Sequence, residues 1–444
     1  MTHLSRSDFP DSFLFGAATS AYQIEGHGFG GAGETHWDTF AATPGNVVRQ
    51  ENGNRACDHY HRYAEDLKLA GDLGLDIYRF STSWARLVPD GRGAPNPDGL
   101  AFYDRLIDTM LENGLKPAAT LYHWELPSPL ADLGGWRNRE IANWFGDFAA
   151  LVAQHFGDRL WSVAPINEPW CVGWLSHFEG HHAPGLRDIR ATARAVHHVL
   201  LAHGHAISAM RAAGLANLGA VCNFEHALPA TSHTQDILAA ERQNAIYNHF
   251  FLSGLFKGTY PDLVLEGLEP FLPVDWECDF TTIGAPIDWI GVNYYTCSRV
   301  LWTGGAWPNV SFASGHLPKT TMGWEIRPQS LGDILEMVAT DYAPGLPIYV
   351  TENGMSADDR KTGDTVADPQ RVNFLRDHMG EVARALKAGL DIRGFIVWSL
   401  LDNYEWALGY EKRFGLIHVD FETLARTPKT SYHRLQGFLA GGHL

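Results

Sequence analysis

What the chain has little of narrows its nature first. Its five cysteines (Cys57, Cys171, Cys222, Cys278 and Cys297) are odd in number, scattered and without metal-type spacing. That excludes a disulfide framework and reads as buried free thiols in a reducing compartment. No window approaches the ~20 apolar residues of a membrane span, and the opening MTHLSRSDFPDSFLFG has no apolar stretch of signal-peptide length, so a cytoplasmic, soluble protein is expected. Positive charge is also short. Lys and Arg number 34 against 51 Asp and Glu, a net charge of −17, which argues against a nucleic acid or an anionic membrane as partner. A neutral small molecule fits better, and self-association is left open. No repeat, low-complexity tract or Pro/Ser-rich linker divides the chain. Residues 1–444 are therefore expected to form one domain, because α/β barrels commonly exceed ~250 residues once loops are counted.

What is present is a rhythm. Apolar runs of strand length recur at 13–18, 75–80, 117–122, 161–166, 218–224, 289–294, 347–351 and 394–399, separated by stretches of helical periodicity. Among those stretches are YHRYAEDLKLAGDLG, LAFYDRLIDTMLENG, RAVHHVLLAHGHAISAMRAAG and RVNFLRDHMGEVARALKAG. Several end in Gly just before the next strand, the expected helix stop. Eight strands alternating with helices predict an α/β fold, a single (β/α)8 TIM barrel with extended βα loops. The segments 26–55 and 300–327 read as loop insertions.

In such a barrel the active site is built at the C-terminal ends of the strands. In order, those ends carry Gln23, Arg79, His123-Trp124, Asn167-Glu168, Asn223, Asn293 with Tyr295, Glu352-Asn353, and Trp398 followed by Glu405-Trp406. Taken singly, Arg79 with Glu352 reads as a structural ion pair and His123 as a core histidine. Taken together, polar or aromatic groups at every strand end are more than packing requires. Two glutamates on separate strands are what glycoside cleavage needs, one to protonate the leaving oxygen and one to attack or activate water. Their environments must differ so that one is protonated and the other charged at neutral pH. A fixed cation, Arg79, near Glu352 would hold that carboxylate ionised. Asn167, His123 and Gln23 offer hydrogen bonds to sugar hydroxyls, and Trp398 and Trp406 offer flat walls.

Two other classes are open on the residues alone. A carbohydrate-binding barrel without catalysis would lack the acid or the nucleophile, and both are present. A metal-dependent hydrolase is prompted by 22 histidines, but a His-x-His after the first strand is absent. His203-Gly204-His205 lies in a helical stretch, where a spacing of two points to different faces. No metal or other cofactor is expected.

With these residues in place, the chain resembles glycoside hydrolase family 1, the retaining β-glucosidases and β-glycosidases, over essentially its whole length. The segments that carry the resemblance are FLFGAATSAYQIEG (13–26), YRFSTSW (78–84), YHWELP (122–127), INEPW (166–170), HAPG (182–185), GVNYYT (291–296), YVTENG (349–354), VWSLLDNYEWALGY (397–410) and RFGLIHVD (413–420). The resemblance implies that Glu168 is the general acid/base and Glu352 the nucleophile. It implies sugar contacts from Gln23, His123, Trp124, Asn167, Glu405, Trp406 and Phe414, with Trp398 as a stacking floor. Arg79, Asn293 and Tyr295 would surround the nucleophile, and Trp324 would be the wall for the aglycone. The substrates implied are terminal β-D-glucosides, with β-galactosides and β-fucosides, and short oligosaccharides such as cellobiose. The branch that takes 6-phosphorylated sugars has Ser where this chain has Glu405, and Lys with Tyr where it has Lys412 and Phe414; only the Lys matches. The thioglucosidase branch carries Gln in place of the acid/base, against Glu168 here. One departure stands out: the family's Thr-x-Asn-Glu-Pro is here Pro165-Ile166-Asn167-Glu168-Pro169. A proline inside a barrel strand is expected at a bulge or where its N–H has no partner.

Overall fold

The structure is a computed structural model and describes residues 4–444. Eight parallel strands, β1 Leu14–Ala18, β2 Ile77–Ser81, β3 Lys116–Tyr122, β4 Ser162–Ile166, β5 Gly219–Pro229, β6 Trp289–Trp302, β7 Ile348–Asn353 and β8 Ile392–Trp398, pair in the order β4-β3-β2-β1-β8-β7-β6-β5. Two parallel bridges, Val163 to Leu218 and Asn167 to Val221, join β4 to β5 and close the ring. The longest helix after each strand is, in order, α1 His59–Leu73, α2 Pro97–Glu112, α3 Ile141–Phe156, α4 Ile189–Ala212, α5 Thr234–Asn244, α6 Pro328–Met337, α7 Pro369–Lys387 and α8 Thr430–Leu439.

Local chemistry accounts for these elements. In α2, Asn96 caps the start by accepting from the Asp98 N–H (3.2 Å), and Pro97 occupies the first turn, where its missing N–H costs nothing. Phe102, Tyr103, Leu106, Ile107 and Met110 recur at helical spacing and form the buried stripe. Strands such as β7 are buried along their whole length because helices cover the outside and side chains fill the inside, which is why they read as runs without alternation. The barrel interior is packed by Ile77, Ala118 and Ile396 in one cluster and Ala164, Val221, Trp289 and Tyr349 in another. Gly291 matters here: a Cβ on it would lie 2.7 Å from Thr351 Oγ1 and 2.8 Å from Val221 Cγ2, so only glycine lets β5, β6 and β7 approach this closely.

Three expectations need correction. The segment 300–327 is not all loop: β6 runs on to Trp302 and pairs antiparallel with Val310–Ala313, a hairpin whose turn is longer than the short turn signals that mark most hairpins. The segment 26–55 contains a helix, His36–Ala42. Four cysteines are buried, but Cys278 is exposed.

Pro165 sits at the seam of the barrel. The Val163 N–H donates to the Asn217 carbonyl on the β5 side (3.2 Å), and the two-residue alternation of a strand aims the Pro165 nitrogen the same way. That nitrogen falls between the two bridges that join β4 to β5, where the ladder is interrupted. The proline therefore replaces an N–H at the least regular contact in the ring.

The loop after β8, which carries Glu405 and Trp406, is anchored from behind by buried charges. Lys429, just before α8, donates to Asp359 (2.5 Å) and Asp402 (2.6 Å). Arg371 of α7 bonds Asp359 (2.7 Å) and Asp368, and Arg413 bonds Asp402 (2.7 Å). Three cations thus meet three carboxylates, and removal of one partner leaves an uncompensated charge. Lys429→Met is expected to lower the unfolding free energy by about 3–5 kcal/mol, read from a urea midpoint with unchanged slope.

Candidate active site

The local fold of the segment after β4 decides where two side chains go. The Asn167 N–H donates to Tyr122 O of β3 (2.9 Å), while the Glu168 N–H donates to Val221 O of β5 (3.1 Å). Adjacent residues are thus tied to opposite neighbouring strands. The price is backbone strain, because Glu168 sits at φ +51°, a left-handed conformation that costs a non-glycine residue roughly 1–3 kcal/mol. Trp124 (φ +75°) and Trp406 (φ +49°) share that feature at the same mouth. Pro169 then opens a helical turn, a position that tolerates proline.

A hydrogen-bonded chain joins the two carboxyl groups. Arg79 of β2 donates one nitrogen to Glu352 Oε1 and another to Asn167 Oδ1 (2.6 Å). Asn293 of β6 donates to Asn167 Oδ1 (3.2 Å) and to Glu168 Oε1 (2.7 Å), and its own carbonyl accepts from the Thr351 hydroxyl (2.6 Å). Tyr295 donates its hydroxyl to Glu352 Oε2 (2.6 Å). Both oxygens of Glu352 therefore face donors, one of them cationic. Glu168 has the Asn293 amide on one oxygen and only the Cys171 thiol on the other (3.2 Å).

This difference has an electrostatic consequence. Burial, reinforced by the negative charge of Glu352, pushes the Glu168 carboxyl up to about 8, against the lowering effect of the Asn293 and Cys171 hydrogen bonds and the Arg79 charge. Burial and then Glu352 likewise raise Glu405 to about 8. Burial, then Arg79, drives His123 well below its ordinary value, so it is a neutral imidazole. Burial, then Glu352, keeps the Tyr295 phenol protonated and able to donate.

Above these groups opens a cavity of about 620 Å³. Of the residues singled out from sequence, His123, Trp124, Glu168, Asn223, Tyr295, Trp324, Glu352, Trp398, Glu405, Trp406 and Phe414 line it. Arg79, Asn167 and Asn293 lie beneath, joined to the two carboxyls. Gln23 is placed differently. It is buried outside the lining, with its amide donating to Asn403 Oδ1 (3.0 Å) and Tyr404 O (2.8 Å) and accepting from Ser20 (2.7 Å). In the lining, Glu405 Oε2 and His123 Nδ1 are buried without a hydrogen-bond partner, acceptors and donors held ready for a polar ligand. Aromatic walls stand around them: the His123 and Trp398 rings stack at 5.6 Å, and Trp324 lies 5.5 Å from Tyr295 and 6.0 Å from Phe414.

Sequence reasoning missed Trp170, Cys171, Tyr247 and Met322, which also line the cavity. Cys171 had a signal, since it stands three residues beyond Glu168 at the start of a helical turn, and that spacing puts both on one face. Tyr247 had none, because it comes from the helical segment that continues α5 and not from a strand end. Among the described residues no helix is long and apolar enough to cross a membrane, and no three or more His, Cys, Asp or Glu side chains are grouped to hold a metal.

A family model described as "Glycosyl hydrolase family 1" matches residues 5–440. "Beta-glucosidase A" of Thermotoga maritima is 44% identical over 427 residues, spanning 95% of this chain and 96% of its own. A "Bifunctional beta-D-glucosidase/beta-D-fucosidase" of Bifidobacterium breve is 40% identical over 461 residues, spanning 97% of this chain and 98% of its own. The solved family 1 β-glucosidase from Thermotoga maritima in complex with isofagomine lactam superposes with a TM-score of 0.95 at 42% identity, covering 100% of both chains.

The environment of Glu168 can be tested without substrate. At pH 7 the ligand-free protein is expected to show an infrared band of a protonated carboxyl that is absent from Glu168→Gln and that titrates away near pH 8; a spectrum unchanged by the substitution would refute the assignment.

Proposed function

The chain belongs to glycosyl hydrolase family 1 and is a glycoside hydrolase, and from that premise we propose that Glu352 and Glu168 remove terminal non-reducing β-D-glucosyl residues by double displacement with retention. The observation that carries the roles is the unequal pair of carboxyls, one with a guanidinium and a phenol on its two oxygens, the other pushed up to about 8 by burial. A carboxylate braced by two donors suits a nucleophile, and a carboxyl that keeps its proton at neutral pH suits an acid.

In the first step a Glu352 oxygen attacks the anomeric carbon while Glu168 transfers its proton to the glycosidic oxygen, and the C–O bond to the aglycone breaks. The product is a glycosyl ester on Glu352. Glu168, now a carboxylate, takes a proton from water, and the water oxygen displaces Glu352 from the same face that the aglycone left. Two inversions keep the β configuration. The Arg79 charge stabilises the negative charge returned to Glu352, and Asn167, its oxygen held by Arg79 and Asn293 and its nitrogen beside His123 Nε2 (3.3 Å), would turn its remaining N–H to a sugar hydroxyl.

The cavity supports an unphosphorylated glycone. Glu405 offers a phosphate no positive charge, and the one lysine in the relevant segment, Lys412, is taken up by Glu411 (2.9 Å). Phe414 stands where a phosphate-reading branch has a tyrosine. The partnerless Glu405 oxygen suits a sugar hydroxyl, Trp398 offers a floor and Trp324 a wall for the aglycone. The name of the Bifidobacterium breve relative supports including β-fucosides. The proposal takes the whole chain as one catalytic unit, acting in the cytoplasm on small β-glycosides. The four buried thiols support that compartment.

Glu352→Ala is expected to lower kcat by about 10⁴–10⁶-fold for every glucoside. Glu168→Ala is expected to lower alkyl glucoside turnover by about 10²–10⁴-fold while sparing the first step for dinitrophenyl glucoside, whose leaving group needs no proton. Equal loss on both substrates would contradict the acid role. For the unsubstituted enzyme, kcat/KM is expected to fall as pH rises through about 8, because the active form carries the proton on Glu168.

A further inference from the structure

Cys171 has no part in the reaction as written, yet its sulfur lies 3.2 Å from Glu168 Oε2, the oxygen that Asn293 leaves free. The thiol is buried, and burial together with the adjacent Glu168 raises it far above its ordinary range, so it is a neutral S–H and neither a nucleophile nor a charge. Its direction is also fixed. Asn223 of β5 donates to the Cys171 sulfur (3.6 Å) and to the Tyr247 hydroxyl (2.9 Å). With an N–H on the sulfur lone pair, the thiol hydrogen is turned toward the carboxyl.

We propose that Cys171 is a positioning residue that sets the proton affinity of Glu168, by giving its second oxygen the weakest donor that will still orient it. The proposal rests on Glu168 being the acid/base. A strong donor at this point would favour the carboxylate and discharge the acid before a substrate arrives; an apolar group would leave the oxygen without orientation and slow the base step. Sulfur lies between these, as a poor donor that packs like a small apolar group. The other ionisable groups around the pair are Glu352 and Arg79, which act in opposite directions on Glu168, with Tyr295, Glu405, Tyr247, Cys222 and Glu179 further round the same wall. None of them touches Oε2 with a hydrogen bond; Cys171 alone does so.

The test is the alkaline limb of kcat/KM for an alkyl or nitrophenyl glucoside in Cys171→Ser and Cys171→Ala, with thermal unfolding as a check on folding. The serine hydroxyl, oriented by Asn223 in the same way but a stronger donor, is expected to move the limb down by about 0.5–1 pH unit, and alanine to move it up by a similar amount. A purely structural thiol would change Tm or the overall rate and leave the limb in place. Limbs that coincide in all three proteins, or that move in the same direction, overturn the proposal. Glu168→Ala measured alongside separates the two levels of the argument. If its dinitrophenyl glucoside profile lacks the limb and the Cys171 variants do not shift theirs, only the role of Cys171 fails. If the limb persists without Glu168, the acid/base assignment fails first and the role of Cys171 falls with it.

Discussion

The guanidinium of Arg79 is the interaction on which the mouth of this barrel depends. It is buried on β2 and reaches both Glu352 at the end of β7 and Asn167 after β4, so one cation holds together three strands that are far apart in sequence. A buried charge of this kind is costly to desolvate and is tolerated only with a partner that stays charged. Glu352 is that partner. Its charge in turn discourages ionisation of Glu168 across the cavity. The inequality of the two carboxyls therefore follows from the burial of Glu168, reinforced by the Glu352 charge that Arg79 holds in place.

The remaining groups hold that arrangement still. Thr351 fixes the Asn293 amide, Asn293 holds one oxygen of Glu168, and Gly291 leaves room for Thr351 to reach it. The left-handed backbone at Glu168 and Trp124 is maintained against its own preference by bonds to neighbouring strands, including the Trp124 indole to Asn167 O (3.0 Å), and that at Trp406 by a bond within its own turn from the Gly409 N–H to Trp406 O (3.0 Å). Behind the loop that carries Glu405 and Trp406, Lys429, Arg371 and Arg413 lock Asp359 and Asp368, between β7 and α7, and Asp402, after β8, into one block. Rigidity at the mouth is thus supplied by polar contacts and rigidity of the wall by packing.

Much of this was legible in the sequence. All eight strands, the closed α/β architecture and the residues that converge on the cavity follow from apolar periodicity and from the rule that barrel sites sit at strand ends. Legibility stopped where a contact joins residues with no shared pattern. Tyr247 reaches the cavity from a helix, and Lys429 meets Asp402 and Asp359 across 27 and 70 positions, so neither carries a local signal. The hairpin that extends β6 lies past the barrel rim, where polar spacing hides a strand. Gln23, expected among the groups that meet sugar hydroxyls, has its amide hydrogen-bonded to Ser20, Asn403 and Tyr404 just behind the cavity lining. Pro165 is the departure from the Thr-x-Asn-Glu-Pro pattern that the resemblance leads one to expect. Its place at the β4–β5 seam accounts for its missing N–H, and the split of Asn167 toward β3 and Glu168 toward β5 explains why the chain breaks its strand at that point.

The central claim is that Glu352 is the charged nucleophile and Glu168 the proton carrier, and trapping the covalent intermediate tests it most directly. Incubation with a 2-deoxy-2-fluoro-β-glucoside bearing a dinitrophenol leaving group, followed by peptide mass spectrometry, should place one fluoroglucosyl group per chain on Glu352. Label on Glu168, or rapid release of dinitrophenol with no covalent adduct, would contradict the account.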